Sequence, residues 1–316
     1  MTSTNWSHEN AMLKVEDLSV SFVQYTKGLK QKDLKVITSL NIDIMPGEVL
    51  AVVGSSGSGK SLLAHAILGI LPTNATVNGT MMYKGEALTT KRQQSLRGKE
   101  IALVPQSVKY LDPLMKVGKQ VQSAVRKGDP VKAQKDVFAR YHLKSGVDGQ
   151  YPYQLSGGMS RRVLVSTAVV SGASLIIADE PTPGMDTAAV QESIRDLRKL
   201  ADEGAAVMMI THDIDTALKI ADRIAVFYAG TTVEVAPVSD FEGRGEKLRH
   251  PYSKALWRAL PQNEFLPIEG FQPLPSALPP GCLFAPRCSM ATPECSAGQP
   301  EARELRDGMV RCIHAT

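Results

Sequence analysis

Apolar and polar residues alternate from Met12 to Phe22, the period-two pattern of a half-buried strand. Val36 to Ile44 repeats it, so the two read as early antiparallel strands joined by the polar segment Gln24 to Asp33. Pro46-Gly47-Glu48 then turns the chain into Val49-Leu50-Ala51-Val52-Val53, an unbroken apolar run expected as a buried strand. Leu62 to Leu68 opens a helix, Thr80 to Tyr83 is a short strand after Asn78-Gly79, and Ile101 to Pro105 is a core strand ending at Gln106. The pattern turns helical from Asp112 to Gln154, with an amphipathic stretch at Val131 to Tyr141. Leu175–Ala178, Ala206–Ile210 and Ile224–Tyr228 are continuous apolar strands, as a parallel sheet requires. Helical segments lie between them at Ala188–Glu203 and Asp215–Ala221. The expected architecture is α/β: a doubly wound core with a helical insert between Gln106 and Leu155. Near residue 240 the composition shifts toward proline (Pro261, Pro267, Pro273, Pro275, Pro279, Pro280), which predicts a separate C-terminal element. There is no internal repeat.

One turn carries chemistry. Gly54-Ser55-Ser56-Gly57-Ser58-Gly59-Lys60-Ser61 fits G-x-x-x-x-G-K-[ST] without deviation and sits between a predicted strand and a predicted helix. Glycines let backbone N–H groups curl around phosphates, and a helix N-terminus adds a favourable dipole. Lys60 is expected to reach β- and γ-phosphates, and the Ser61 hydroxyl to bind Mg²⁺. Asp179 ends the apolar run Leu175 to Ala178, so its carboxylate should emerge at the strand's C-terminal edge, where ligands bind in open α/β sheets. There it can hold Mg²⁺ through water, while Glu180 is placed to orient and deprotonate an attacking water. Phe22, at a strand end, is the candidate for stacking on adenine, with Tyr25 second.

The 316 residues suffice for one large α/β domain and a smaller appendage. Hydrophobic content of 43% fills a core, and a net charge of +4 gives no argument for nucleic acid. The densest basic stretch, Arg244 to Arg258, also contains Glu246 and reads equally as a solvated face. Met1 to Asn10 is polar and lacks the apolar region of a signal peptide. The longest apolar runs, Leu62 to Leu71 and Ala173 to Ala178, are far shorter than a membrane span. A cytosolic protein that meets a membrane through partners is expected. The four cysteines, Cys282, Cys288, Cys295 and Cys312, all lie in the tail with spacings C-x5-C-x6-C-x16-C. In a reducing compartment they argue for metal over disulfides. A tight zinc knuckle is absent and four thiolates suit a [4Fe–4S] cluster, with zinc and free or paired thiols as the other possibilities.

Leu155-Ser156-Gly157-Gly158-Met159, downstream of the phosphate loop and upstream of the Asp179-Glu180 pair, completes a set that resembles the ATP-binding cassette (ABC) ATPases. The resemblance implies a P-loop core with an antiparallel β subdomain, a helical signature subdomain and a small Cys-rich C-terminal extension. It implies that Ser156, Gly157 and Gly158 bind the γ-phosphate held by an opposite subunit. Gln106 matches the glutamine loop that touches Mg²⁺ and the water and couples to membrane subunits, His212 the switch histidine at the γ-phosphate, and Asp186 the residue of dimer communication. Two departures stand out. Pro183-Gly184-Met185 precedes Asp186 in place of a small residue and Leu, and Arg161 stands where importers carry Gln, which would add charge near the partner's γ-phosphate.

His250-Pro251-Tyr252-Ser253-Lys254-Ala255-Leu256 and Ala259-Leu260-Pro261 resemble the tail of peptide and nickel permease ATPases. Gly281 to Cys288, Cys295 and Arg311-Cys312 are similar to the cysteine tail of D-type oligopeptide and dipeptide permease subunits, and this resemblance implies the [4Fe–4S] cluster, with a structural role. The expected layout is an ABC domain over 12–240, with its helical part at about 107–165, and a tail over 241–316. The expected function is the ATP-hydrolysing subunit of an oligopeptide or dipeptide importer at the cytoplasmic face of the inner membrane. Its partners would be a second ATPase in a heterodimer, two transmembrane permeases and an extracytoplasmic binding protein, with no nucleic acid. Import of nickel or a metal chelate is the close alternative. A soluble cassette acting on ribosomes or DNA, and a redox sensor built on the tail, are rivals of other classes.

Overall fold

The computed structural model of the chain describes residues 10–25 and 30–316. Most of the polar N-terminus and the middle of the polar link between the first two strands, residues 26–29, lie outside the described residues. In chain order the elements are β1 (Leu13–Tyr25), β2 (Gln31–Ile44), β3 (Val49–Gly54), α1 (Lys60–Leu68), β4 (Ala75–Tyr83), β5 (Glu86–Ala87), α2 (Thr90–Leu96), β6 (Ile101–Val104), α3 (Val117–Ala124), α4 (Pro130–Arg140), α5 (Gly157–Val169), β7 (Leu175–Asp179), α6 (Thr187–Asp202), β8 (Ala206–Ile210), α7 (Ile214–Leu218), β9 (Arg223–Tyr228), β10 (Thr231–Pro237), α8 (Pro251–Arg258), α9 (Glu294–Ala297), β11 (Arg303–Leu305) and β12 (Gly308–Val310). They form two compact units.

The first unit takes the described residues up to Asp43, then Ala51–Leu88 and Asp222–Thr316. It holds an antiparallel sheet in the order β2-β1-β4-β5, as the alternating patterns require. Leu13 faces Tyr83 and Phe22 faces Ala75 across β1 and β4, with the register shifting between Glu16 and Ser19. Asp17 in that bulge has φ 47°, and its backbone N–H is satisfied by the Asn41 side-chain oxygen at 2.8 Å. β9 and β10 form a hairpin, and the tail adds β12 against β10 and β11 against β12. β10 escapes a pattern search because Thr231, Thr232 and Glu234 are polar yet buried. Glu234 is balanced by Arg249 at 3.3 Å, which also pairs with Asp240 at 2.7 Å. The basic stretch is therefore split. Arg244 and Arg258 lie at the surface beside Glu264, whereas Arg249 is buried as the counter-charge of β10.

The second unit takes Ile44–Leu50 and Thr89–Ala221. Here β6, β7 and β8 are parallel, with Ile101 beside Leu175 and Leu175 beside Ala206. The start of β3 joins them where Val207 N–H donates to Glu48 O at 2.8 Å. β7 and β8 are buried along their whole length, which is why they read as uninterrupted apolar runs. The segment expected as a helical insert holds α3 and α4, and α5 follows it. Asp129 caps α4 ahead of Pro130, and Asp196 of α6 holds Tyr141 at 2.5 Å and Arg140 at 2.8 Å. Among the described residues no helix is long and apolar enough to cross a membrane.

Candidate functional site

β3 delivers the phosphate loop at Gly54, where φ is 153° and a Cβ would lie 2.3 Å from Phe227 O. Only glycine lets the loop start that close to the β9 backbone. The loop closes on itself through Ser58 N–H to Ser55 O at 3.2 Å and ends at Gly59, whose φ of 94° begins α1. Lys60 is buried, and its ammonium donates to Gly54 O at 2.9 Å and Ser55 O at 3.0 Å. Ser55 and Ser61 are half-buried, Ser56 and Gly57 are exposed, and the buried Ser58 hydroxyl has no hydrogen-bond partner. In the same unit Phe22 is half-buried on β1, and Tyr25 is exposed with its hydroxyl 3.2 Å from Gln31 Nε2.

In the second unit Asp179 is the last residue of β7 and is buried. Glu180 follows in the left-handed region at φ 48°, a conformation that costs on the order of 1 kcal/mol for a residue with a side chain. Its N–H is anchored to Ile210 O at 2.9 Å. This turn aims the carboxylate at His212, with Nδ1 and Oε1 2.9 Å apart. Glu180 Oε2 is buried and takes no hydrogen bond, while the His212 side chain is 70% exposed. Gln106 is exposed just beyond β6.

The signature string is an N-terminus. Ser156 caps α5 by accepting from Met159 N–H at 3.3 Å, and Gly157 and Gly158 form its first turn. A Cβ on Gly158 would lie 2.7 Å from Gly184 O, so the helix start meets the Pro183–Met185 loop backbone to backbone. Asp186 caps α6 through Ala189 N–H at 2.9 Å and pairs with Arg162 of the signature helix. The unusual Pro-Gly-Met spelling thus retains a capped α6 and a firm contact with α5. Arg161 departs from the sequence expectation. It is turned inward and buried, donating to Pro105 O at 2.5 Å and to Gln106 O. Burial lowers its basicity from the ordinary arginine value, and the Asp179 and Glu180 carboxylates oppose that. Side-chain direction along α5 has no signature in residue type, so this role was not readable from the chain.

The four cysteines are free and line one cavity with His250, Phe284 and His314. Gly281 has φ 75°, and a Cβ there would strike Cys295 O at 2.2 Å, which brings Cys282 N–H within 2.8 Å of that oxygen. Cys295 Sγ lies 3.5 Å from His314 Nε2. Burial pushes the Cys282, Cys288 and Cys312 thiols up from their ordinary value. Backbone N–H groups aimed at the sulfurs pull the other way, from Phe284 and Ala285, from Met290, and from His314 and Ala315 respectively. Among the described residues no three His, Cys, Asp or Glu side chains are gathered closely enough to hold a single metal ion.

Residues 37–183 match the ABC transporter family, and residues 233–295 match the oligopeptide/dipeptide transporter C-terminal region. The dipeptide transport ATP-binding protein of Haemophilus influenzae is 33% identical over 323 residues, covering 96% of this chain and 95% of that protein. The oligopeptide transport ATP-binding protein of Salmonella typhimurium is 33% identical over 317 residues, covering 92% and 90%. A dimeric ATP-binding cassette bound to ADP and Pi superposes with a TM-score of 0.62 at 24% identity, covering 72% of this chain and 99% of that one, which supports the fold alone. On these grounds the chain belongs to the ABC transporter ATP-binding proteins, within the oligopeptide/dipeptide transporter family.

Proposed function

We propose that this chain hydrolyses ATP to drive import of short peptides, and that its residues divide the work as follows. Lys60 and the loop from Gly54 to Ser61 hold the β- and γ-phosphates, and Phe22 stacks on the adenine. Ser61, Asp179 and Gln106 hold Mg²⁺, which neutralises charge on the phosphates when bound. Glu180 takes the proton as water attacks the γ-phosphorus and ADP leaves. His212 steadies Glu180 and faces the γ-phosphate. Ser156, Gly157 and Gly158 present the α5 N-terminus to nucleotide on a second ATPase subunit, and Asp186 links that helix to the catalytic loop. The observation that carries this reading is the Glu180–His212 contact of 2.9 Å, which leaves Oε2 bare for a proton.

The partners follow from this reading: a second, non-identical ATPase, two permeases, an extracytoplasmic peptide-binding protein and docking at the cytoplasmic face of the membrane. Peptide relatives on both sequence comparisons favour peptides over nickel or a metal chelate as cargo. The test is reconstitution with two membrane permeases and the extracytoplasmic binding protein of its transporter. Short peptides are expected to stimulate ATP hydrolysis and accumulate in the vesicles. Stimulation by nickel or a chelate and not by peptides would overturn the cargo.

The tail completes the proposal: Cys282, Cys288, Cys295 and Cys312 hold a [4Fe–4S] cluster that fixes the tail's fold, and the cassette gives way to that tail near residue 240. Support comes from four free thiols that line one cavity. Cluster ligands sit on separate iron atoms, so they need not converge as tightly as ligands of one zinc ion.

A further inference from the structure

The tail reaches the phosphate loop. Gln272 lies 217 residues from Ser55 in sequence, yet its Oε1 accepts a hydrogen bond from the Ser55 hydroxyl. The same oxygen accepts from Ala229 N–H, in the β9–β10 turn, at 3.3 Å. That turn is itself tied to the loop, since Gly230 N–H donates to Ser58 O at 3.2 Å. Tyr252 of α8, almost fully buried, packs on Tyr228, the residue before Ala229, with ring centroids 4.5 Å apart. Ser55 also supplies one of the two carbonyls that seat the Lys60 ammonium. The residue that places Lys60 is therefore gripped from the tail on its side-chain oxygen.

The grip has a brace. Arg287 donates through Nε to Glu269 O at 2.7 Å and through Nη2 to Ile268 O at 3.0 Å, holding the segment that ends in Gln272. Its third contact is the Tyr228 hydroxyl at 3.2 Å, and its guanidinium lies 5.9 Å from the Tyr228 and Phe284 ring centres. Tyr228, Tyr252 and Phe284 pack on one another with centroids 4.5 to 5.3 Å apart. Arg287 directly precedes Cys288, so the brace belongs to the cysteine loop.

We propose that Gln272 is a positioning residue for the nucleotide site: it fixes Ser55, and through Ser55 the phosphate loop and Lys60, with Arg287 holding it in place. The tail is then a working part of ATP binding and not an appendage to it. The proposal rests on the phosphate-loop reading, which Lys60→Ala tests separately in the same assay, whereas it is independent of which metal the cysteines hold.

The experiment is a double-mutant cycle on the full chain, measured as Mg²⁺-ATP affinity. Gln272→Ala and Ser55→Ala should each weaken ATP about two- to tenfold, the range of one net side-chain hydrogen bond. The double variant should be no worse than the weaker single one, because both remove the same contact. Arg287→Ala should weaken ATP in the native background and add nothing once Gln272 is Ala. In the assembled transporter the loss should fall on KM for ATP rather than on kcat, a split that general loosening of the fold would not give. Unchanged ATP affinity in Gln272→Ala, or losses that add in the Ser55 cycle, overturns the proposal. Additive losses for Arg287 overturn the brace.

Discussion

The phosphate loop hangs between β3, buried along its length, and α1, whose first residue Lys60 is already seated on carbonyl oxygens. The cysteines hang on a three-residue 3₁₀ turn, the four-residue α9 and the connection after β12. Both regions belong to one compact unit. The loop's shape is enforced by its own backbone contacts, such as Gly54 against Phe227 O. The cysteine cavity relies on turns too short to hold a fold by themselves, and burial drives its thiols toward the neutral form. A site built on strand ends takes its shape from the buried sheet that carries it. The proposed cluster would order the tail site, as metals order small domains.

The sharpest test of the first half is Glu180→Gln. If the strand-end groups are preorganised, removing the base takes away chemistry and leaves structure. Turnover in the assembled transporter should fall about 10²–10⁴-fold, while ATP still binds. Near-normal hydrolysis would sink the assignment of the base. Lys60→Ala should act on the other quantity. Losing a charged donor to phosphate should weaken ATP by about 10- to 100-fold, with the unfolding midpoint of the nucleotide-free chain little changed. Unchanged affinity would mean that Lys60 does not hold the phosphates.

The second half predicts the reverse behaviour. Cys288→Ser, or chelation of the metal, should loosen the chain from about residue 275 onward, read as faster hydrogen exchange there. ATP binding should survive, weakened by no more than the loss seen for Gln272→Ala. Anaerobically purified protein should contain iron and sulfide in cluster proportion. Stoichiometric zinc without iron would refute the cluster, and a tail that stays protected without metal would erase the contrast between the two regions.

Legibility in the sequence follows the same divide. β3, the loop, α1 and β7 could be read because each couples a strict local pattern to a buried position: an apolar run, then glycines or acids at its end. β10 could not, because its polar residues are buried on a long-range partner, Glu234 on Arg249. β11 and β12 are three residues each; β12 is held by pairing with β10, and β11 by pairing with β12. α7 ends at Leu218, short of the apolar pattern that continues to Ala221. At the candidate site, residue types point to Lys60, Asp179 and Glu180. The Ser55–Gln272 contact joins residues far apart in the chain; Ser55 lies in the loop motif, but nothing local marks Gln272 as its partner.

Arg161 gives the smallest effect and the finest test. The guanidinium spends two N–H donors on the Pro105 and Gln106 carbonyls and lies within reach of the Asp179 and Glu180 charges. A planar fork is suited to bridging two successive carbonyl oxygens, and its charge offsets two carboxylates at one strand end. Arg161→Gln keeps a donor but loses the fork and the charge. Since the strands that carry Asp179 and Gln106 are fixed by their own pairing, the fold should tolerate the change. What should alter is the stretch that follows β6. Turnover is expected to fall by about three- to tenfold, the scale of one or two net hydrogen bonds, with ATP affinity at Lys60 unaffected. Hydrogen exchange should rise at residues 106–111 and nowhere in the tail. If instead ATP affinity falls and exchange near Gln106 is unchanged, Arg161 serves the phosphates and not the loop after β6.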